Sequence, residues 1–288
     1  MWQLVLQSLI FGILMGGIYA SLGVGFTLTW GVTKILNISH CTFAVLAAYM
    51  AYWLLVLVGV DPLISLAIIA PTFFAIGLAV YIGLMRSLFK AEDITMASMV
   101  FTVGLATVLE NLMLYTWSPD PRVMITPYTG RSIFLGGVAV PITALTCFLV
   151  SIGTVLGVYL FLHKTYVGKA VRATWQNPEL ASLYGIDKEK VTMITFGLAM
   201  VSAGVGGVCL ALISSFYPSI HNIWTIHLFL VVIIGGVGSV VGAAVGGIIV
   251  GLLNALCGIF IPYSWLPVVS FSTLIVLLLI RPRGLFRA

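Results

Sequence analysis

Apolar runs of about 18 or more residues recur along almost the whole of this chain, and that pattern restricts the fold more than any motif does. As a helix, each run spans the roughly 30 Å hydrocarbon layer of a bilayer. Only 7% of the residues are charged, against about 25% in soluble domains, too few to cover a core of this size in water. The expected fold is an all-α polytopic transmembrane bundle, with residues 1–288 forming one domain. The longest polar insertions, 118–137 and 163–190, are too short to form a second.

Nine spans are expected, within a range of about eight to ten. They lie near Leu4–Trp30, Phe43–Val60, Leu63–Met85, Ile94–Trp117, Val138–Leu162, Val191–Ser214, Ile223–Ile234, Val240–Ile261 and Leu266–Ile280. The start, MWQLVLQ, lacks a basic region and reads as part of the first span rather than as a signal peptide. Within that span Gly12 and Gly16 are spaced for close approach of another helix. Ile223–Ile234 is short, about 18 Å at 1.5 Å per residue, and starting it after Pro218 adds about one turn. The following Gly235-Gly236-Val237-Gly238-Ser239 is therefore expected to turn within the membrane zone. It then either lines a path, as broken helices in transporters do, or makes a plain turn at the surface.

Lysine and arginine counts set an expected orientation. Eleven of the 13 basic residues fall on one side: Lys34, Arg86, Lys90, the five bases of 163–190, and Arg281, Arg283 and Arg287. Only Arg122 and Arg131 fall on the other. The 163–190 loop and the C-terminus are expected in the cytoplasm and the N-terminus outside. A break among the glycines of the first stretch would reverse the N-terminus. Basic loops between spans also account for the pI near 9.1 without a nucleic-acid partner.

Several chemistries have no residues to carry them. There is no G-x-x-x-x-G-K-[ST] and no H-E-x-x-H; His40, His163, His221 and His227 lack metal-ligand spacing. No nucleophile–base pair suggests an intramembrane enzyme, so no catalytic residue and no metal site are assigned. Cys41, Cys147, Cys209 and Cys257 read as small buried apolar residues. His221 and His227 flank the start of a span and are expected at the interface. Glu110 and Asn111 lie within a span, where a carboxylate is costly. They either face a translocation path or sit near the outer end of the span, with Glu110 bonded to a neighbouring helix or reaching the interface.

The notch Lys34–Thr42 is the densest polar cluster outside the large loop. Asn37 or Ser39 could cap the following helix; alternatively Asn37, His40 and Thr42 line a path or gate.

Residues 163–190 hold eight of the 21 charged residues. Gly168–Trp175 reads as a short amphipathic helix exposing Lys169 and Arg172. Asn177 then caps a second helix, with Pro178 at its first position and Glu179 near its positive end. Gly185 ends it and Asp187 caps the next span. So much capping points to a protein partner rather than a bare tether or a helix touching only lipid headgroups.

Gly168-x-x-x-Arg172-Ala173 with Asn177-Pro178-Glu179-x-Ala181-x-x-x-Gly185-Ile186 resembles the coupling loop of ATP-binding-cassette importer permeases. The chain as a whole resembles the branched-chain amino-acid permease family. Gly25-Phe26-Thr27, Trp30-Gly31, Asn37-Ile38-Ser39-His40, the Gly235–Ser239 run with Gly242, and Arg281-Pro282-Arg283-Gly284-Leu285 occur in that family's order. Cys41 and Thr42 stand where the family usually has Gly and often an acidic residue.

The resemblance implies a bacterial-type inner-membrane permease of the branched-chain amino-acid/ribose type, embedded in membrane lipid. Its partners would be a second related permease subunit, as a heterodimer, two ATPase subunits and an extracytoplasmic solute-binding protein. ATP and Mg2+ would bind the ATPases, leaving this chain without cofactor, and the helix Pro178–Tyr184 would dock on an ATPase. The substrate would be a branched-chain or related small amino acid, or else urea, a short amide or another small solute. From another class, a secondary carrier or channel would need Glu110 or His40 as coupling group or filter.

Overall fold

In the computed structural model, which describes residues 2–135, 137–262 and 265–280, the chain is a helical bundle. Its helices are α1 (Trp2–Thr33), α2 (His40–Trp53), α3 (Pro62–Val80), α4 (Ile94–Trp117), α5 (Ile142–Lys164), α6 (Tyr166–Gln176), α7 (Pro178–Leu183), α8 (Lys188–Ile213), α9 (His221–Gly235), α10 (Val240–Phe260) and α11 (Leu266–Ile280). Two strands, β1 (Ser132–Leu135) and β2 (Val138–Pro141), form an antiparallel hairpin. Eight of the described helical segments are long and apolar enough to cross a membrane. The ninth expected span is α11, whose described part has 15 residues. The span expected from Val138 begins at Ile142, because Val138–Pro141 pairs with β1. The Arg281–Leu285 motif lies outside the described residues.

α1 runs unbroken for 32 residues through all of its glycines. Those glycines are packing surfaces. A Cβ on Gly16 would stand 2.6 Å from the Ile248 Cα, and one on Gly247 would meet the Gly16 carbonyl at 2.6 Å. Gly12 faces Gly251 in the same way, so α1 and α10 meet backbone to backbone along a seam of paired small residues.

α8 occupies the centre. Gly25 of α1 packs on Ala199 and Ser202, Gly207 on the Ala44 carbonyl of α2, and Gly77 of α3 on Gly197. α4 is peripheral and presents Met96, Val100, Val103, Val108, Leu112 and Tyr115 outward. Exposed side chains of this kind are what a lipid-facing surface requires. Cys41, Cys147 and Cys209 are buried and Cys257 is half-buried.

α6 and α7 lie at one end of the bundle, together with Lys34 and Arg86; the hairpin and Arg122 lie at the other. At the α6–α7 end, Arg86 pairs with Glu189 at 3.0 Å. At the far end, Arg122 exchanges both backbone hydrogen bonds with Phe216 and holds its guanidinium over Tyr52 and Trp53.

Candidate functional site

The most unusual backbone lies between α1 and α2. Lys34 takes a left-handed conformation, φ 59°, which ends α1. The chain then re-enters the bundle as non-helical backbone until His40. Such backbone needs protein partners within an apolar bundle, and α4 supplies them. Ser98 Oγ accepts from the Leu36 N–H at 3.0 Å, and Thr102 Oγ1 accepts from the Ile38 N–H at 3.1 Å. The Thr102 hydroxyl also faces the Leu36 carbonyl at 3.0 Å. Two side chains one helical turn apart thus stand in for a neighbouring strand.

This re-entrant segment carries the notch residues into the bundle. Asn37, Ser39, His40 and Thr42 are fully buried. The His40 ring meets the edge of Phe26, which lies about 10 Å back from the end of α1 at 1.5 Å per residue. Phe26 in turn packs edge-on against Phe229 of α9. The capping expected of Asn37 or Ser39 is absent, because Ser39 Oγ donates to Asn37 Oδ1 at 2.6 Å instead.

Asn37 Nδ2, both His40 ring nitrogens, Thr42 Oγ1 and Thr27 Oγ1 of α1 have no hydrogen-bond partner among the described residues. The Leu22 carbonyl faces the His40 ring without reaching hydrogen-bond geometry. Each unpaired buried group costs about 1–3 kcal/mol. Together they are unused donors and acceptors at the junction of α1, α2 and α9.

Glu110 is not among them. It lies eight residues beyond Thr102 on α4, roughly 12 Å away along the axis, and Oε2 is 3.0 Å from His221 Nε2. That contact joins α4 to the start of α9. Asn111 points outward and donates to the Thr107 carbonyl one turn back. His221, the first residue of α9, and His227 are both buried within the bundle: the former meets Glu110, and the latter stacks on Tyr19 at 5.0 Å and donates from Nδ1 to the Ile223 carbonyl. Tyr19 and His227 also line a cavity of about 610 Å³ with Phe11, Met15, Asn254 and Leu266, towards the end away from α6 and α7.

The Gly235–Ser239 run connects α9 to α10. α9 with its leading 3-10 turn covers Pro218–Gly235, 18 residues, before the chain turns. Gly236 and Gly238 both have φ 87°, and Ser239 caps α10 by accepting from the Gly242 N–H. The turn lies level with Gly31, in the last turns of α1, instead of deep in the bundle.

The loop folds as its capping residues require. Thr165 caps α6, and the α6 backbone at Gly168 abuts Phe161 and Leu162 so closely that no side chain fits. Val171 and Thr174 bury the inner face of α6. Lys169 is exposed, whereas Arg172 is half-buried, contrary to expectation. Asn177 Oδ1 accepts from the N–H groups of Glu179 and Leu180 and so starts α7; Pro178 occupies the first position. Gly185, φ 81°, ends α7, and Ile186 N–H returns to the Ala181 carbonyl. Ala181 is buried, while Leu180, Leu183 and Tyr184 point away from the bundle.

Asp187 accepts from the N–H groups of Glu189 and Lys190 at the start of α8. The Lys190 N–H, aided by the Lys190 ammonium, holds the Asp187 carboxyl below its ordinary range. Sequence reasoning missed Ser98, Thr102 and Tyr19, and it gave Trp175 no role. The Ser-x-x-x-Thr spacing on an otherwise apolar helix was the available signal for the first two.

A bundle with glycine seams, a buried re-entrant polar segment and a capped surface corner is the architecture of a multi-pass membrane protein. Residues 8–280 match the family model described as "Branched-chain amino acid transport system / permease component", and the chain belongs to that family. It is 26% identical to the high-affinity branched-chain amino acid transport system permease protein BraD of Pseudomonas aeruginosa, over 97% of this chain and 95% of the relative. It is 26% identical to LivH of Salmonella typhimurium, a permease protein of the same description, over 97% and 94%. It is 27% identical to the probable branched-chain amino acid transport permease protein LivH of Methanocaldococcus jannaschii, over 95% and 90%. No solved structure matches the chain.

Proposed function

We propose that this chain is one half of the membrane path of an ATP-driven importer for branched-chain or related small amino acids. The α6–α7 end faces the cytoplasm, in accord with the bias of Lys and Arg towards that side. Two ATPase subunits dock there and bind the ATP and Mg2+ that this chain has no motif to hold. A second related permease completes the path, and a soluble binding protein delivers substrate from the opposite side. The substrate class follows the relatives' names.

The observation that carries this reading is α7. It is a six-residue helix with a cap at each end, and its Leu180, Leu183 and Tyr184 project from the bundle. Gly168, Arg172, Asn177, Pro178, Glu179, Ala181, Gly185 and Ile186 form and hold this corner. Asn37, His40 and Thr42 line the path or its gate, an assignment supported by their unpaired groups. Glu110 clamps α4 to α9, a role that removes the acidic group an ion-coupled carrier would need. Gly235, Gly236, Gly238 and Ser239 form a hinge at the cytoplasmic mouth.

The test is reconstitution with the ATPases, the second permease and the binding protein. Uptake of labelled leucine should require ATP, and A181W should leave the bundle folded while separating hydrolysis from uptake. Uptake that survives ATP depletion and follows an ion gradient would overturn the proposal. Normal transport by A181W would remove α7 as the handle. Competition by excess urea or acetamide, but not by valine, would reassign the substrate.

A further inference from the structure

We propose that Trp175 is a rigid strut that carries movement of the α6–α7 corner into the α9–α10 turn and the end of α1; this rests on the reading of α7 as the ATPase handle. α7 itself is mostly exposed and is joined to the bundle by α6 on one side and by the start of α8 on the other, so α6 is one of the two routes by which a force applied there enters. The Trp175 indole lies on Gly238 and reaches Gly31. A Cβ on Gly238 would overlap the ring, with Cη2 at 2.6 Å and Cε2 at 2.7 Å. A Cβ on Gly31 would stand 3.3 Å from Cε2 and 3.3 Å from the Gly238 Cα. Three elements therefore meet at one ring with no side chain of α1 or of the turn between them.

The materials at this junction differ in stiffness. An indole has only two side-chain torsions and a rigid body, so it passes on displacement rather than absorbing it. α6 is stiffly seated, since Gly168 abuts the end of α5 and Val171 and Thr174 are buried. The turn holds two left-handed glycines, Gly236 and Gly238, and is the yielding partner. Its far side is α10, which is locked to α1 along the glycine seam. At this junction a shift of α6 therefore bears on α1 and on the turn leading into α10 together, at one side chain. Trp175 is a positioning residue in this scheme and touches no substrate.

The test uses the complete reconstituted transporter and reads uptake per ATP hydrolysed. W175A should still retain the ATPase on co-purification and melt close to the parent, while uptake per ATP falls about tenfold, as expected when coupling between distant sites is lost. W175F, whose smaller ring lacks the Cζ2–Cη2 edge that lies on Gly238, should fall between W175A and the parent. A second arm joins W175C to G31C with a short bis-methanethiosulfonate spacer. A strut predicts that the spacer restores uptake per ATP towards the parent value.

An unchanged ratio in W175A overturns the strut, as does a spacer that abolishes the remaining uptake, which would mean that α6 slides over α1. Loss of ATPase retention in W175A alone would make Trp175 part of the dock and also overturn it. A parent chain that retains no ATPase sinks the reading of α7 itself and is distinguishable from all of these.

Discussion

Replacing Thr102 with Val tests the re-entrant segment directly, because the side chain keeps its shape and loses only its hydroxyl. Thr102 Oγ1 accepts from the Ile38 N–H at 3.1 Å and faces the Leu36 carbonyl at 3.0 Å and the Ser98 carbonyl at 2.7 Å. One hydroxyl proton cannot fully serve both carbonyls, and the Ser98 carbonyl sits within α4. The dependable losses are an orphaned Ile38 N–H, worth about 1–3 kcal/mol, and a weakened Leu36 carbonyl, giving about 2–4 kcal/mol in all. For a chain of this size that lowers the melting temperature by roughly 4–16 °C.

The measurement is thermal unfolding of purified protein in detergent, followed by loss of the monodisperse peak. Thr107 is the control: it is exposed on the same helix and bonds only the Val103 carbonyl, so T107V should lie near the parent. T102V melting no lower than T107V would refute the claim that α4 side chains hold the segment.

Other outcomes follow from the same geometry. G247L should fail to give monodisperse protein, because its Cβ would meet the Gly16 carbonyl and the Ala20 backbone at 2.6 Å; normal assembly would mean the seam can part. E110Q should lower the melting temperature by roughly 2–4 °C, for about 1 kcal/mol of lost charge-assisted bonding to His221. Its uptake per folded molecule should be unchanged, and lost uptake would return Glu110 to the path. Asp187 has a depressed pKa in the folded state, so its cap is fully formed above the ordinary carboxylate value of 3.8 and is lost as pH falls through the lower folded value. The Lys190 amide shift should show a titration step with a midpoint below 3.8 that is lost in D187N; a midpoint at or above 3.8 would refute the cap.

The parts of this protein legible from sequence are those governed by local chemistry. Asn177-Pro178-Glu179, Gly185 and Asp187 act within a few residues of themselves, so α7 and the start of α8 could be read with their caps. Gly12 and Gly16 announced a close helix contact for the same reason, although α10 as the partner could not be read. The glycines of Gly235–Ser239 signal a turn but not its level, which the fold sets beside Gly31 in the last turns of α1. Lys34–Ser39 reads as a polar cluster that caps a helix or lines a gate, but its re-entrant course is not legible because its anchors, Ser98 and Thr102, lie about 60 residues away. Ser39 shows the same limit: its propensity favours a cap, but burial beside Asn37 gave it a different partner. Trp175 reads as an amphipathic surface residue until the two glycines it covers are brought to it by the fold.

The seam between α1 and α10 has a consequence for how such a molecule can change shape. With glycine facing glycine, the two helices have no long side chains there to rearrange as they part. Any separation would leave bare peptide groups facing lipid. These two helices thus form a keel, and the alternating exposure of a path must come from other members tilting against it. The softer boundaries are around α2 and α9, where aromatic rings and unpaired polar groups meet in place of backbone.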